Sequence, residues 1–271
     1  MRKIRTYLLT ILFITLNFSL IAQTSDDYSI AYKQVIQDAF LIDLVYPQEK
    51  NEIQLSVSPT MLQHISSEEY IFPMGVEYGI NDSWQIGVEW NVFRRGSSVD
   101  EYSSNRNLQL GTKYSFMNIA NSPFHSAIGL EMGLPINKDN FGLDEKVYTY
   151  EACMLFAYDL SKINNAQLFA QMVFEYEREV AEEKDDYEVE LGMGFFIPMG
   201  KIVFLSELTW NSTIWNTELE TECYYSPALL IDLPGTWETG FAFPIGLNSN
   251  SDKYRFSLRL TYEFGIKNDD E

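Results

Sequence analysis

Histidine and cysteine are nearly missing from this chain, with two of each in 271 residues. His64 and His125 lie far apart, so no His-rich metal site is expected. Cys153 and Cys223 form neither a CxxC pair nor a framework of bridges. Positive charge is scarce as well: 19 Lys and Arg face 39 Asp and Glu, a formal net charge of −20. Such a chain offers phosphates no basic footprint, which excludes nucleic acid as a partner. Beyond Gln23 there is no apolar run of 18 residues, so no transmembrane helix is expected there. Disorder, the other reading of strong acidity, is opposed by 46% hydrophobic and 15% aromatic content.

What is present begins with an export address. Arg2, Lys3 and Arg5 precede an apolar stretch from Tyr7 to Ile21, with a cleavage point at Ala22-Gln23. Residues 1–22 therefore read as a signal peptide, and losing its three cations takes the net charge from −20 to −23. No cysteine near that point supplies a lipid anchor. Residues 23–50 form a leader in which Val35, Ile36, Phe40, Leu41, Leu44 and Val45 suit one side of a short helix closed by Pro47. Either a periplasmic segment or a plug in a barrel mouth fits this leader. Residues 266–271 form an acidic tail.

Between them, the pattern is that of strands. In Lys253–Phe264, Tyr254, Phe256, Leu258, Leu260, Tyr262 and Phe264 share one parity, and Arg255, Ser257, Arg259, Thr261 and Glu263 the other. Strands of soluble sandwiches usually run to about five or six residues. A bilayer-crossing strand needs about 9–11, with an apolar outer face and aromatics at both headgroup levels. The same alternation places twelve strands near 51–59, 71–80, 84–93, 106–116, 124–134, 147–158, 166–176, 187–197, 201–210, 222–232, 236–246 and 253–264. Strand 222–232 is the weakest, since Pro227 cannot donate to a ladder.

Connections alternate in length. Asn81–Ser83, Pro198–Gly200 and Leu233–Gly235 are tight, and 117–123 and 159–165 are short. The intervening set, 60–70, 94–105, 135–146, 177–186, 211–221 and 247–252, is mostly longer. Short periplasmic turns and long outer loops are the habit of outer-membrane barrels. The expected fold is all-β: a twelve-stranded antiparallel up-and-down transmembrane β-barrel over 51–265, preceded by the leader. One assignment of direction then yields two aromatic belts. Trp90, Tyr148, Tyr176, Tyr187, Trp210, Tyr225 and Tyr254 lie near the outer leaflet, and Trp84, Phe116, Phe124, Tyr158, Trp237 and Phe264 near the periplasmic one.

A family resemblance follows from three stretches. Phe72–Trp90 (FPMGVEYGINDSWQIGVEW), Ala39–Pro59 (AFLIDLVYPQEKNEIQLSVSP) and Ser122–Ile136 (SPFHSAIGLEMGLPI) resemble the bacterial outer-membrane barrels catalogued with the meta-pathway of phenol degradation. The resemblance rests on patterning and turn types over most of the mature chain. It implies an outer-membrane channel or transporter for small organic molecules, and it carries no catalytic motif.

Opposite the lipid-facing set, the interior parity holds Glu52, Glu77, Glu89, Glu131, Glu151, Glu175, Glu190, Glu207, Glu238 and Glu263 with Lys113, Arg255 and Arg259. A basic residue facing lipid at the midplane costs about 2–4 kcal/mol, so inward charge is first of all forced by the fold. Excess interior carboxylate would favour cations in a pore. A salt-bridged filling around Arg255 and Arg259 is the other reading. Inward glycines at 75, 79, 87, 111, 129, 133, 192, 194, 240 and 246 leave room for a narrow passage.

The expected function is passive passage of small molecules, organic or cationic, through a narrow acidic lumen in the outer membrane. A closed structural or adhesion barrel is the alternative. A lipid hydrolase is a distant third, because His64 and His125 fall at opposite ends of a strand's length and no His-x-Ser-Asn-Gly signature exists. No catalytic, metal or cofactor site is expected. Glu182, Glu183, Asp185 and Asp186 read as a solvated acidic loop, and Cys153 and Cys223 as unpaired thiols. Expected partners are outer-membrane lipids, the barrel-assembly machinery through the C-terminal strand, and an unidentified small permeant.

Overall fold

A computed structural model describes residues 36, 39–64, 67–96, 107–135, 147–179, 184–215 and 218–265. The signal peptide, most of the leader before Ala39, Glu182, Glu183 and the tail at 266–271 lie outside the described residues. Twelve antiparallel strands close on themselves: β1 (Glu52–Val57, resumed at Thr60–Gln63), β2 (Glu68–Asn81), β3 (Trp84–Gly96), β4 (Asn107–Phe116), β5 (Phe124–Pro135) and β6 (Val147–Leu160). They continue as β7 (Ala166–Glu179), β8 (Lys184–Met199), β9 (Ile202–Trp215), β10 (Glu218–Asp232), β11 (Trp237–Ala242, resumed at Ile245–Gly246) and β12 (Tyr254–Gly265). Each pairs with its chain neighbours, and β12 closes the ring on β1 from Glu52↔Gly265 upward. Among the described residues no strand edge is left open.

All twelve expected strands are present, and several reach further than the sequence pattern suggests. The 60–70 loop is replaced by pairing from Thr60↔Ile71 to Gln63↔Glu68. Likewise β9 and β10 pair up to Trp215↔Glu218, inside what reads as the 211–221 loop. Alternation fades where both faces of a strand meet water, while ladder pairing goes on.

Proline explains the two interrupted strands. Ser58–Pro59 breaks β1 beside Pro73 of β2, where the Ser58 N–H donates to the Pro73 carbonyl at 3.0 Å. Phe243–Pro244 breaks β11 beside Pro227 of β10, where the Phe243 N–H donates to the Pro227 carbonyl at 3.0 Å. Pro227 thus sits in a full-length strand because the neighbouring ladder is itself open at that height.

Turns at the end shared by both barrel termini are short. Gly200 (φ 72°) and Gly235 (φ 89°) take left-handed conformations at two of them. The outward parity is mostly apolar, broken by a few hydroxyls such as Thr112 and Ser126, with Leu130 62% and Met193 61% exposed at mid-strand. Tyr150 and Tyr176 stack at 6.2 Å and the tilted rings of Tyr176 and Tyr187 lie 5.3 Å apart near one rim, while Trp84, Tyr158 and Trp237 are exposed near the other. An outward band of aliphatic side chains between two rows of aromatics has one stable solvent, the bilayer.

The hydrophobic core lies within the barrel. Ile36, Ala39, Ile42, Leu44, Val45 and Tyr46 pack against Leu155, Phe169, Phe196, Leu205 and Leu230 on the inner wall of β6 to β10. Residues 39–50 are therefore inside the barrel near its terminal end, and they contain no helix. Over the described part of the helix expected from Val35 to Val45, residues 39–45 form bends rather than a helix, and side chains of the wall supply their hydrogen bonds; Val35 itself lies outside the described residues.

Candidate functional site

A segment without helix or strand pairing, enclosed by a barrel, must find partners for its backbone. Here inward side chains supply them. The Glu207 carboxylate of β9 accepts the N–H groups of Phe40 (3.2 Å), Leu41 (2.7 Å) and Ile42 (3.0 Å) through one oxygen. Gln171 Oε1 of β7 accepts Asp43 N–H at 2.8 Å. Lys113 Nζ of β4 donates to the Leu44 carbonyl at 2.9 Å, and Ser115 Oγ to the Val45 carbonyl at 2.5 Å. Gln85 Oε1 of β3 accepts Gln48 N–H at 2.9 Å, and Gln48 Nε2 reaches Glu77 at 2.8 Å and also Gln54. The Arg259 guanidinium stands 4.9 Å over the Phe40 ring.

The end of this segment is fixed by a buried cage. His125 is fully buried; its Nδ1 accepts Asn118 N–H at 3.0 Å, so Nε2 carries the proton it shares with Asp159 Oδ2 at 2.9 Å. Asp159 also accepts from Gln167 at 2.6 Å and from the Tyr46 hydroxyl at 3.5 Å. Ser126 points to the opposite, lipid-facing side. Asp159 thus links this histidine to Tyr46 of the leader, whose ring lies 6.0 Å from the imidazole.

The interior is not completely filled. Among the described residues, cavities of about 140, 60 and 260 Å3 lie beside the segment. Ser56, Ser58, Gly75, Gly87, Glu89, Gln109 and Gly111 line the first with Glu77, Glu131 and Arg259. Glu77, Lys113, Glu131 and Cys153 border the second with three glycines. The largest is lined by Glu89, Glu131, Glu151, Glu175, Glu188 and Glu190 with Gln171. Asp43 of the leader borders all three.

Register explains the crowding of carboxylates. Glu131 stands directly opposite Glu151, Glu151 opposite Glu175, and Glu175 opposite Glu188, across four adjacent strands. Cross-strand Cβ atoms are roughly 4.5–5.5 Å apart, and like charges so placed destabilise a sheet. On the other side Glu131 faces Gly111, and Gly111 faces Gly87.

The structure thus brings Glu77, Glu89, Lys113, Glu131, Glu151, Glu175, Glu190 and Arg259 to the cavities. Glu207 is 1% exposed beneath the leader and borders none of them. Arg255 is held at the far rim: it donates to Asp252 (2.9 Å) and to the Tyr224 hydroxyl (2.7 Å), and its guanidinium lies 4.1 Å over the Tyr224 ring. His64 joins that rim network through Asp252 and, at 3.5 Å, Glu69. Glu238 lies low on β11, paired in register with Thr261 and Asp232. Sequence reasoning missed Asp43 and the glutamines at 48, 54, 85 and 171. The wall glutamines' inward parity was readable, but neutral amides gave no sign of a ligand. Cys153 and Cys223 are both free.

No family model matches the chain, and no curated protein matches it. Solved structures do. An outer membrane channel from Pseudomonas putida F1 superposes with a TM-score of 0.58 at 11% identity, over 81% of this chain and 98% of that one. The NanC porin gives 0.53 at 11% identity, over 78% and 100%. The beta domain of the Bordetella autotransporter BrkA gives 0.50 at 10% identity, over 79% and 98%. Identities this low speak for architecture, and with the apolar outer band they make the chain a twelve-stranded β-barrel of the bacterial outer membrane.

Proposed function

We propose that this barrel is a narrow channel for small molecules, with its leader occupying part of the bore and the remaining space biased towards cations. One observation carries the reading: beside the leader a cavity of about 260 Å3 persists, bordered by six wall glutamates and Asp43. A barrel evolved only as a scaffold has no need to keep like charges in register around open space. Twelve strands also fall between eight, which side chains fill, and sixteen, which leave an aqueous pore. The superposition on a channel and a porin agrees with this reading. The resemblance of Phe72–Trp90 to barrels grouped with phenol degradation adds small organic solutes to the permeants worth testing.

Its surroundings would be outer-membrane lipids on the apolar belt and, during biogenesis, the assembly machinery engaging β12. No enzymatic step belongs to the proposal. A closed structural barrel is the competing role, favoured by the tight fixing of residues 40–48 to the wall. Planar-bilayer recording on purified protein separates the two. Discrete cation-selective steps, with liposome swelling in amines or small phenols, support the channel; a folded protein that passes neither ions nor solutes refutes it.

A further inference from the structure

In the stretch from Ile42 to Gln48, Asp43 alone is exposed. Ile42 is 2% exposed and Leu44 1%, so the segment is sealed to the wall on both sides of this residue. Its backbone cannot drift. Asp43 N–H is held by Gln171 at 2.8 Å, Ile42 N–H by Glu207 at 3.0 Å, and the Leu44 carbonyl by Lys113 at 2.9 Å. The carboxylate borders all three cavities, a position that Glu131 alone among the wall carboxylates shares.

Two glycines of the wall line the same space as Asp43. Gly87 and Gly111 face each other across β3 and β4 and border the two smaller cavities. A Cβ placed on Gly87 would meet nothing nearer than 3.5 Å, so its missing side chain is space that the packing does not require. A solute in either cavity therefore shares its lining with a fixed leader carboxylate and two residues that lack side chains. Lys113 borders the same space, with its ammonium donated to the leader's backbone. Field lines from a fixed charge in so small a space, within low-dielectric walls, govern which sign of ion enters.

We propose that Asp43 is the specificity-determining residue of the passage, selecting small cations, alkali ions and protonated amines of similar size. The leader would then be the selective element of the bore as well as its filling. This inference rests on the channel reading. It also predicts that selectivity is set by a residue outside the barrel wall.

The test is the reversal potential of single channels in a KCl gradient, repeated with methylammonium in place of potassium. Wild type and Asp82→Asn, altered in an exposed turn, should share one cation preference. Asp43→Asn, which keeps the side-chain shape and every backbone bond, should lower the potassium-to-chloride permeability ratio several-fold. Asp43→Lys should bring it to or below unity, and Gly87→Val should reduce conductance to potassium and methylammonium. Heat-modifiable gel mobility verifies that each barrel is folded. Conducting channels whose ratio is the same in wild type, Asp43→Asn and Asp43→Lys overturn the role of Asp43 and leave the channel standing. A folded wild type that never conducts overturns the channel reading itself.

Discussion

Leu41 N–H points at Glu207 Oε1 from 2.7 Å, and the same oxygen serves Phe40 and Ile42. One inward carboxylate on β9 thus holds three successive amides of the leader. Glu207→Ala strands those donors among apolar neighbours, at a cost on the order of 3 kcal/mol. All three hydrogen bonds of Glu207 go to the leader, so the loss should fall mainly on leader docking. We expect larger single-channel conductance and faster proteolysis near residue 40, with the heat-modifiable shift retained. Glu207→Gln keeps an acceptor oxygen and should lie between the two. Equal conductance in wild type and Glu207→Ala would show that the leader does not obstruct the bore.

The wall was legible in the sequence, and the leader was not. Trp84, Ile86, Val88 and Trp90 against Gln85, Gly87 and Glu89 declare a two-faced strand without outside help, because a period of two is local. Residues 39–50 have no such period. Their hydrogen bonds go to Gln85, Lys113, Ser115, Gln171 and Glu207, on strands that come together only when the ring closes. Asp43 looks like any solvated acid until its neighbours are seen buried on either side. Inward placement of Glu131 and Glu151 was readable from parity; their direct opposition required the register.

Leu130 stands midway along β5 and is 62% exposed. If lipid is its solvent, Leu130→Arg should destabilise the barrel by about 2–4 kcal/mol, the midplane cost of a basic side chain. Leu130→Met should be close to neutral. Reversible guanidinium unfolding in phospholipid vesicles gives both differences. An arginine tolerated as well as methionine would remove the membrane as the partner of this face.

Two inward glycines on adjacent strands make an internal comparison. A Cβ on Gly79 would sit 1.9 Å from the Glu49 carbonyl oxygen, a backbone atom where the leader turns into β1. A Cβ on Gly87 finds its nearest neighbour at 3.5 Å. Gly79→Ala should therefore cost about 1–3 kcal/mol through forced backbone movement, and Gly87→Ala should leave the melting temperature nearly unchanged. Thermal melts followed by the loss of the compact gel form distinguish them. If both alanines behave alike, the leader does not approach the wall as described.

Cys153 offers a chemical view of the same space. It borders the smallest cavity together with Asp43, Lys113 and Glu131, while Cys223 lies on the lipid-facing parity. In a Cys223→Ser background, a small cationic thiosulfonate should modify Cys153 faster than an anionic reagent of equal size. Carboxylates around the approach concentrate the first and repel the second. Intact-mass spectrometry over a time course gives the two rates, and high salt should narrow their ratio as screening grows. Equal rates at low salt, or a preference for the anion, would mean that Lys113 and Arg259 set the local field.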